Sequence, residues 1–548
     1  MRGLMMDRPL LISQLIDYAA DVHPTSGVVS RRVEGDIHRY SYVEARARIA
    51  RLANALIAHG IKPGDRVATI AWNTYRHFEL YYAVAGIGAV CHTINPRLFP
   101  EQIVYVLNHA EDRLLFLDLT FLPLAEKLGS HFKTVEGVVA MADSDRVPEA
   151  DIANLVSYED FLDGHADHID WPEFDENTAC GLCYTSGTTG NPKGVLYSHR
   201  SSVLHALALA SLDGINLTQR DSILPVVPLF HVNAWGLPYT CPLTGANLVF
   251  PGPGLDGASL FDLMQAEGVT SAWGVPTAWF GLMAELEKRG AKPDKLEGLL
   301  VGGSAPPRSM IETFERTYGV TFIHGWGMTE TSPVATVCQP RADMDGLSGE
   351  AEIDIKARQG RRLFTVDMKV VDENGATAPN DGKAHGELLV RGPYVADGYF
   401  KDDEASAAAL DADGWFRTGD VATIDPDGYM MIVDRTKDMI KSGGEWISSI
   451  DLENAAVGHP ALAEAAVIGI GHPRWGERPL LIVVKREDAA MTPDELRAYL
   501  ADKVAKWWLP DAIEFVDALP HGATGKLQKT KLRDQFKDYV LPDGDDAA

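Results

Sequence analysis

The strongest constraint on the fold is a regular alternation of strand and helix patterns. A helical pattern from about residue 42 to residue 59 closes at Gly60, and the apolar stretch 66–71 then predicts a strand. A helix around residues 77–85 is followed by a strand at 89–94, and another helix is followed by a strand at 114–117. The same alternation returns between residues 202 and 301. Such a pattern is typical of parallel sheets, so the sequence predicts an α/β fold with helices covering both faces of its sheets.

At 548 residues the chain is too long for a single core. From about residue 363 to residue 432 the pattern changes to short strands separated by D-G and N-G dipeptides, which are hairpin signals. Residues 448–535 return to a mixed α/β pattern. We therefore predict a large N-terminal domain over 1–434, with a β-rich subdomain at about 350–434, a connection at 435–438, and a small α+β C-terminal domain over 439–548 that ends in a frayed tail.

Charge and composition exclude several classes of partner. The chain has 50 basic and 77 acidic side chains, a net charge of −27, which disfavours nucleic acid and anionic membranes as partners. The longest apolar run, 271–284, is broken by Gly274, Pro276 and Gly281, so no membrane span is expected. The first 21 residues lack the pattern of a secretory signal, which favours a cytoplasmic location.

The two cysteines of a C-x-x-C pair could indicate zinc or redox chemistry. Cys180 and Cys183 lie on a predicted strand, where residues three apart point to opposite faces. No second Cys or His pair follows nearby, so we expect two buried structural cysteines instead.

Residues 184–194, YTSGTTGNPKG, lie between two apolar runs and are therefore expected to form a loop between strands. Glycines and hydroxyl side chains can present donors to a phosphate. The loop does not match the pattern G-x-x-x-x-G-K-[ST], because Pro192 stands where the second glycine belongs and Gly194 follows Lys193. Composition alone leaves a phosphate loop and an ordinary glycine-rich turn both open.

Four further motifs decide the matter together. They are GWGMTE at 325–330, WFRTGD at 415–420, DRTKDMIKSGG at 434–444 and GATGK at 522–526. Each alone is more often a turn or a solvated face. In this order they resemble the adenylate-forming superfamily of acyl-CoA synthetases, adenylation domains and beetle luciferases. Within it, VPLFHVNAWGLP at 227–238 is most similar to fatty-acyl-CoA ligases. The pattern as a whole is similar to the medium-chain ligases and, among these, to bacterial 3-methylmercaptopropionate-CoA ligases.

The resemblance implies an ATP site with Mg²⁺. Catalytic roles fall on Lys526, Glu330, Thr185 and His231, and the metal is held by Glu330 and Thr185. The implied ATP- and AMP-binding residues are Thr185, Ser186, Gly187, Thr188, Thr189, Lys193, Gly303, Ser304, Gly325, Trp326, Gly327, Met328, Thr329, Asp420, Ile432, Arg435 and Lys526. Trp326 replaces the usual tyrosine that stacks on adenine and would otherwise be read as a core residue. Glu330, in turn, would otherwise be read as an acid at a helix N-terminus.

The resemblance also implies an acyl pocket and a mobile C-terminal domain. The pocket is formed by His231, Val232, Trp235, Gly302, Gly327 and Pro333, with Trp235 as its gate. His231 could alternatively be an ordinary buried histidine. The small domain rotates about Lys437, within the hinge 435–438. It presents Lys526 for adenylation and then the loop Lys441, Ser442, Gly443, Gly444, Glu445 and Trp446 for thioester formation with coenzyme A.

The function implied is ATP-dependent ligation of a short-to-medium-chain carboxylic acid, with 3-methylmercaptopropionate favoured, to coenzyme A. The alternatives are a general medium-chain fatty-acyl-CoA ligase, an adenylating enzyme that loads a carrier-protein thiol, a luciferase-like oxygenase, and an ATP-binding sensor with a decayed site. A decayed site would lack Lys526 or Glu330, and both are present. The family further implies a homodimer, with no nucleic-acid partner.

Overall fold

The computed structural model describes residues 1, 3–185, 191–443, 445–486, 489–522 and 527–542, with only the backbone of Glu445. Within these residues the strands form four sheets. The helices run over Ser13–Val22, Tyr42–Ala58, Tyr75–Gly86, Pro100–Ala110, Leu122–Leu128, Tyr158–Leu162, His199–Ala210, Leu237–Thr244, Gly257–Glu267, Pro276–Arg289, Arg308–Glu312, Glu350–Lys356, Asp403–Ala409, Ser449–Val457, Pro493–Ala501 and Lys529–Gln535. None of them is long and apolar enough to cross a membrane, as judged over the described ranges.

The two large sheets are mainly parallel, as predicted. In spatial order the larger sheet contains Arg361–Arg362, Val334–Val337, Thr321–Gly327, Gly298–Val301, Ser271–Gly274, Ser222–Pro225, Asn247–Phe250, Gly27–Arg31 and Ile37–Ser41. The second contains Leu155–Ser157, Gly137–Ala140, Asp112–Leu117, Arg66–Ile70, Val90–Thr93, Ala179–Tyr184 and Gly194–Ser198. Antiparallel pairs occur only at the sheet ends, among the strands described.

The helix Tyr75–Gly86 lies between the two sheets and is buried along its entire length. Local sequence determines both ends of the neighbouring helix Tyr42–Ala58. Ser41 and Glu44 form a capping box at its start, and Gly60, with a φ of 94°, lies just beyond its end. This arrangement confirms the α/β class read from the alternation of patterns. It also places the carboxyl ends of the parallel strands along one edge of each sheet, where loops can build a site.

The predicted β-rich region forms an antiparallel sheet of Asp367–Val371, Gly386–Arg391, Phe416–Ile424 and Met430–Arg435. Of its three D-G or N-G turns, 425–428 joins two neighbouring strands directly. The other two are flanked by the isolated bridges Val371↔Thr377 and Leu410↔Phe416 and do not join two strands of this sheet directly. The fourth sheet comprises Glu445–Ile447, Ile440–Ser442, Gly476–Lys485 and Leu462–His472, with Ala512–Phe515 pairing with Gly476–Lys485. The domain boundaries at 434 and 438 remain predictions.

Candidate active site

One cavity of about 1200 Å³ collects most of the predicted site residues. It lies at the carboxyl ends of the parallel strands of the larger sheet, where the loops after Ser222–Pro225, Ser271–Gly274 and Gly298–Val301 contribute to its wall. Its lining also includes residues from both ends of the predicted hinge and from the C-terminal part of the chain. Among the predicted residues that the structure describes, those lining it are Thr185, Lys193, His231, Val232, Trp235, Gly302, Gly303, Ser304, Gly325, Trp326, Gly327, Met328, Thr329, Glu330, Pro333, Asp420, Ile432, Arg435 and Lys437.

The stretch 184–194 connects two paired antiparallel strands, as predicted. Tyr184 pairs with Gly194, the Thr185 N–H donates to the Lys193 carbonyl at 2.8 Å, and the Lys193 N–H donates to the Thr185 hydroxyl at 3.3 Å. The predicted phosphate ligands Ser186, Gly187, Thr188 and Thr189 lie outside the described residues. Thr185 and Lys193 therefore fix both ends of the loop at the cavity wall.

Glu330 lies in a tight turn after the strand Thr321–Gly327, and its side chain is buried at the cavity. The hydroxyl of Tyr399 donates to Glu330 Oε1 at 2.6 Å. Among the described residues no group of three His, Cys, Asp or Glu side chains is arranged to hold a metal ion. The oxygen atoms of Glu330 and Thr185 suit Mg²⁺, which typically takes one or two protein ligands and completes its shell with water and nucleotide phosphates.

The two cysteines of the C-x-x-C pair are free and buried, as expected. Burial raises the pKa of the Cys183 thiol to about 11 and that of Cys180 to about 12. Both thiols are therefore protonated at neutral pH, which suits structural residues better than a metal or redox site.

The predicted nucleotide-base residues meet at a buried carboxylate. Asp420 is 2% exposed; its Oδ2 accepts from the Trp326 indole N–H at 2.9 Å, and its Oδ1 lies 2.7 Å from Arg435 Nε. Asp420 and Arg435 are direct partners on neighbouring strands. A tryptophan at 326 supplies the N–H donor for this contact, and Trp326 lines the cavity, as does Gly303. The arrangement gives the cavity one anionic group next to a planar ring.

The segment that carries Trp235 has an unusual backbone. Val232, Asn233, Ala234 and Trp235 have φ values of 45°, 53°, 45° and 57°, so they form a left-handed turn that Gly236 continues. Each non-glycine residue in this left-handed conformation costs roughly 1–2 kcal/mol, so the backbone of the turn is strained. The turn places Trp235 against Gly302, where an added Cβ would lie 3.2 Å from the indole.

Buried hydrogen bonds hold the segment 225–229 that leads into the turn, and the sequence did not reveal them. Asn73 donates to the carbonyls of Pro225 and Val227 at 2.8 and 2.9 Å and accepts from the Leu229 N–H at 2.6 Å. The hydroxyl of Tyr81 contacts both the Leu229 carbonyl and Asn233. The buried bond to Asn233 ties the turn to the helix Tyr75–Gly86, and the other bonds fix the segment that precedes it.

Next to Asn73, the carboxyl of Asp118 accepts from the Trp72 N–H at 2.6 Å at the end of the strand Asp112–Leu117. Burial raises the pKa of Asp118 to about 7. Trp72 and Asn73 both line the cavity. A titratable group thus lies directly behind one wall of the site.

The two predicted glycine-and-lysine segments of the C-terminal region occupy different places. His521, Gly522 and Leu527 line the cavity, whereas Lys526 itself lies outside the described residues. In the other segment Gly443 donates its N–H to the Trp475 carbonyl at 2.7 Å, and Lys441 Nζ lies 4.2 Å from the Trp446 ring. Lys441, Ser442, Gly443 and Trp446 are not among the described cavity-lining residues; Gly444 and the Glu445 side chain fall outside the description.

A buried polar network joins the segment after Lys526 to the predicted hinge. Lys529 Nζ lies 2.6 Å from Glu453 Oε1 and donates to the Ser449 hydroxyl, which donates in turn to Asp434 Oδ2 at 2.6 Å. Burial raises the pKa of Asp434, and Lys529 opposes that rise. Sequence motifs flagged Asp434 but not its partners, which are 15 and 95 residues away along the chain.

Comparisons with known proteins agree with this geometry. Residues 16–400 match the model of the family "AMP-binding enzyme", and residues 451–526 match "AMP-binding enzyme C-terminal domain". The chain is 52% identical over 542 residues to a 3-methylmercaptopropionyl-CoA ligase of Ruegeria lacuscaerulensis, covering 98% of this chain and 100% of that protein. It is 50% identical over 541 residues to a medium-chain-fatty-acid–CoA ligase of Ectopseudomonas oleovorans, covering 99% and 98%.

The fold is shared with a crystal structure of an anthranilate CoA ligase in complex with anthranoyl-AMP, at a TM-score of 0.86 and 24% identity, over 97% of this chain and 98% of that one.

Proposed function

Since the chain belongs to the AMP-binding enzyme family, we propose that it is an ATP-dependent acid–CoA ligase for short-to-medium-chain carboxylic acids. The observation that carries the proposal is that one cavity gathers the ends of the 184–194 loop, Glu330, the Asp420–Arg435 pair and the Trp235 turn. A nucleotide and a small apolar acid would therefore meet in a single space, as an acyl-adenylate requires.

In the first half-reaction, a carboxylate oxygen attacks the α-phosphorus of ATP, and pyrophosphate leaves. Both reactants are anions, so cations at the site lower the barrier by offsetting their repulsion. Lys193 lies at the end of the loop for this purpose, and we assign the same role at the α-phosphate to Lys526. Asp420 and Trp326 orient the nucleoside, which keeps the α-phosphorus in line with the acid.

When bound, Mg²⁺ supplies charge neutralisation at the phosphates, and Glu330 and Thr185 are the residues that would hold it. In the second half-reaction the thiolate of coenzyme A attacks the acyl carbon, and AMP leaves. The chain needs no covalent nucleophile for either step.

The preferred substrate is 3-methylmercaptopropionate, and the runner-up is a medium-chain fatty acid. Relatives named for these two substrates are 52% and 50% identical to the chain, so similarity alone does not separate them. On family resemblance we also propose that the protein is a cytoplasmic homodimer.

A panel of linear acids, with 3-methylmercaptopropionate among them, tests the proposal. Pyrophosphate release is measured with ATP and Mg²⁺, with and without coenzyme A, and the thioester is identified by mass. We expect turnover with coenzyme A and a preference for the shorter acids. A catalytic efficiency that rises steadily up to acids of about twelve carbons would contradict the short-substrate assignment, since each buried methylene adds about 0.8 kcal/mol. Transfer to a carrier-protein thiol in preference to coenzyme A would contradict the acceptor.

A further inference from the structure

Tyr399 contacts two of the predicted site residues with one side chain. Its hydroxyl donates to Glu330 Oε1 at 2.6 Å, and its ring centroid lies 4.9 Å from Lys193 Nζ. Tyr399 itself lines the cavity. The side chain therefore lies between the carboxylate that we assign to the metal and the cation that we assign to the phosphates.

The backbone around Tyr399 is hydrogen-bonded to Glu330 and to Gly194, the residue after Lys193. The Ala396 N–H donates to the Glu330 carbonyl at 2.7 Å, and the Phe400 N–H donates to the Gly194 carbonyl at 2.8 Å. Tyr399 also donates its own N–H to the Ser406 hydroxyl at 2.8 Å. Three separate hydrogen bonds thus fix the position of the ring relative to the turn at Glu330 and the end of the 184–194 loop.

We propose that Tyr399 is a positioning residue for adenylation, which orients the Glu330 carboxylate through its hydroxyl and confines Lys193 against its ring. This inference rests on the proposed function. A short hydrogen bond to one oxygen of a carboxylate restricts its rotation, so it favours one direction for the other oxygen before ATP arrives. Residues that orient a metal ligand in this way typically change metal affinity or activity by about 10–100-fold when they are removed.

Two substitutions separate the two contacts. Tyr399→Phe keeps the ring beside Lys193 and removes only the hydroxyl, whereas Tyr399→Leu removes both contacts. Tyr394→Phe is the matched control, because Tyr394 is a buried tyrosine of the same segment whose hydroxyl donates to the Phe364 carbonyl at 3.1 Å. Tyr394 does not belong to the described lining of the cavity.

The experiment measures acyl-AMP formation against Mg²⁺ concentration, and ATP binding by calorimetry with and without Mg²⁺. For Tyr399→Phe we expect the Mg²⁺ concentration at half-maximal rate to rise by about tenfold or more, with metal-free ATP binding unchanged and the gain in ATP affinity on adding Mg²⁺ reduced. Tyr399→Leu should in addition weaken metal-free ATP binding, because Lys193 loses its ring contact. Tyr394→Phe should leave every one of these quantities at its wild-type value.

An unchanged Mg²⁺ dependence in Tyr399→Phe would overturn the proposal, as would an equal shift in Tyr394→Phe, which would indicate a general effect of packing. If Tyr399→Leu fails to fold, Tyr399→Phe decides alone, since it keeps the ring. A wild-type protein that adenylates no acid of the panel would refute the proposed function. An active wild type together with an unchanged Mg²⁺ dependence in Tyr399→Phe would refute only the role of Tyr399.

Discussion

Replacing Trp235 by alanine should change which acids are used more than how ATP is bound. Trp235 is 9% exposed, lines the cavity and packs against Gly302, which we assign to the acyl pocket. Its removal opens apolar space to the acyl chain. Each methylene that enters this space gains about 0.8 kcal/mol, or roughly fourfold in kcat/KM.

For two acids that differ by three methylenes, the ratio of their kcat/KM values should therefore shift by up to about 60-fold toward the longer acid. Trp235→Phe should give an intermediate shift. The KM for ATP should stay within about twofold of the wild-type value, because we assign the ring to the acyl pocket and not to the nucleotide. The assay is pyrophosphate release over linear acids of increasing length, at saturating ATP.

Loss of a buried tryptophan also costs about 3–5 kcal/mol of stability, so each variant is first shown to be folded by circular dichroism at the assay temperature. Trp279→Phe is the control for packing loss, because Trp279 is fully buried in a different hydrophobic cluster and does not line the described cavity. Equal losses for all acids, combined with weaker ATP binding, would refute the assignment of Trp235 to the acyl pocket.

Four further predictions follow from the site. Lys526→Ala should slow acyl-AMP formation about 10²–10³-fold, the usual loss for one aimed donor, yet still convert supplied acyl-AMP and coenzyme A to thioester. Gly444→Trp should form acyl-AMP but lose thioester formation. Loss of the same half-reaction in both variants would exclude two separate conformations. Glu330→Gln should weaken Mg²⁺-dependent adenylation in a folded protein, and an unchanged rate at limiting Mg²⁺ would remove Glu330 from the metal site. Asp118 has a folded pKa raised from 3.8 to about 7, so it binds more protons when folded and its contribution to the free energy of unfolding falls as pH rises from about 4 to 7. Asp118→Asn should therefore be more stable relative to wild type at pH 8 than at pH 4, by at most about 4 kcal/mol in urea titrations, and a pH-independent difference would contradict that titration. Light scattering should give the mass of a dimer, and a particle of 59.7 kDa, the mass of one chain, would reject the homodimer.

The periodic parts of the fold could be predicted from the sequence because local patterns determine them. The helix Tyr42–Ala58 and the strand Arg66–Ile70 have the expected bounds to within one residue, since a capping serine, a closing glycine and an apolar run each act over a few positions. The described motif residues that line the cavity could be selected from the sequence because the motifs occur together in one order, although each alone resembles an ordinary turn; their roles remain predictions.

Contacts between residues far apart in the sequence could not be predicted. Tyr399 lies 69 residues from Glu330, and Lys529 lies 80 from Ser449, so neither pair leaves a local pattern. The left-handed turn at 232–235 could not be predicted either: valine and tryptophan disfavour positive φ, and contacts that hold the turn, such as the Tyr81 hydroxyl at Asn233, come from residues far away along the chain.

The strain of that turn has a consequence for how selectivity can evolve. Because the turn is held by the Tyr81 hydroxyl at Asn233 and by the close fit of Gly236 over His205, where a Cβ would lie 2.7 Å from the imidazole, the position of Trp235 depends on residues outside the described lining of the cavity. A substitution in this supporting layer would move the indole as effectively as a substitution in the pocket. On our assignment of Trp235 to the acyl pocket, chain-length preference depends partly on residues behind the pocket, and two homologues with identical linings need not prefer the same acid.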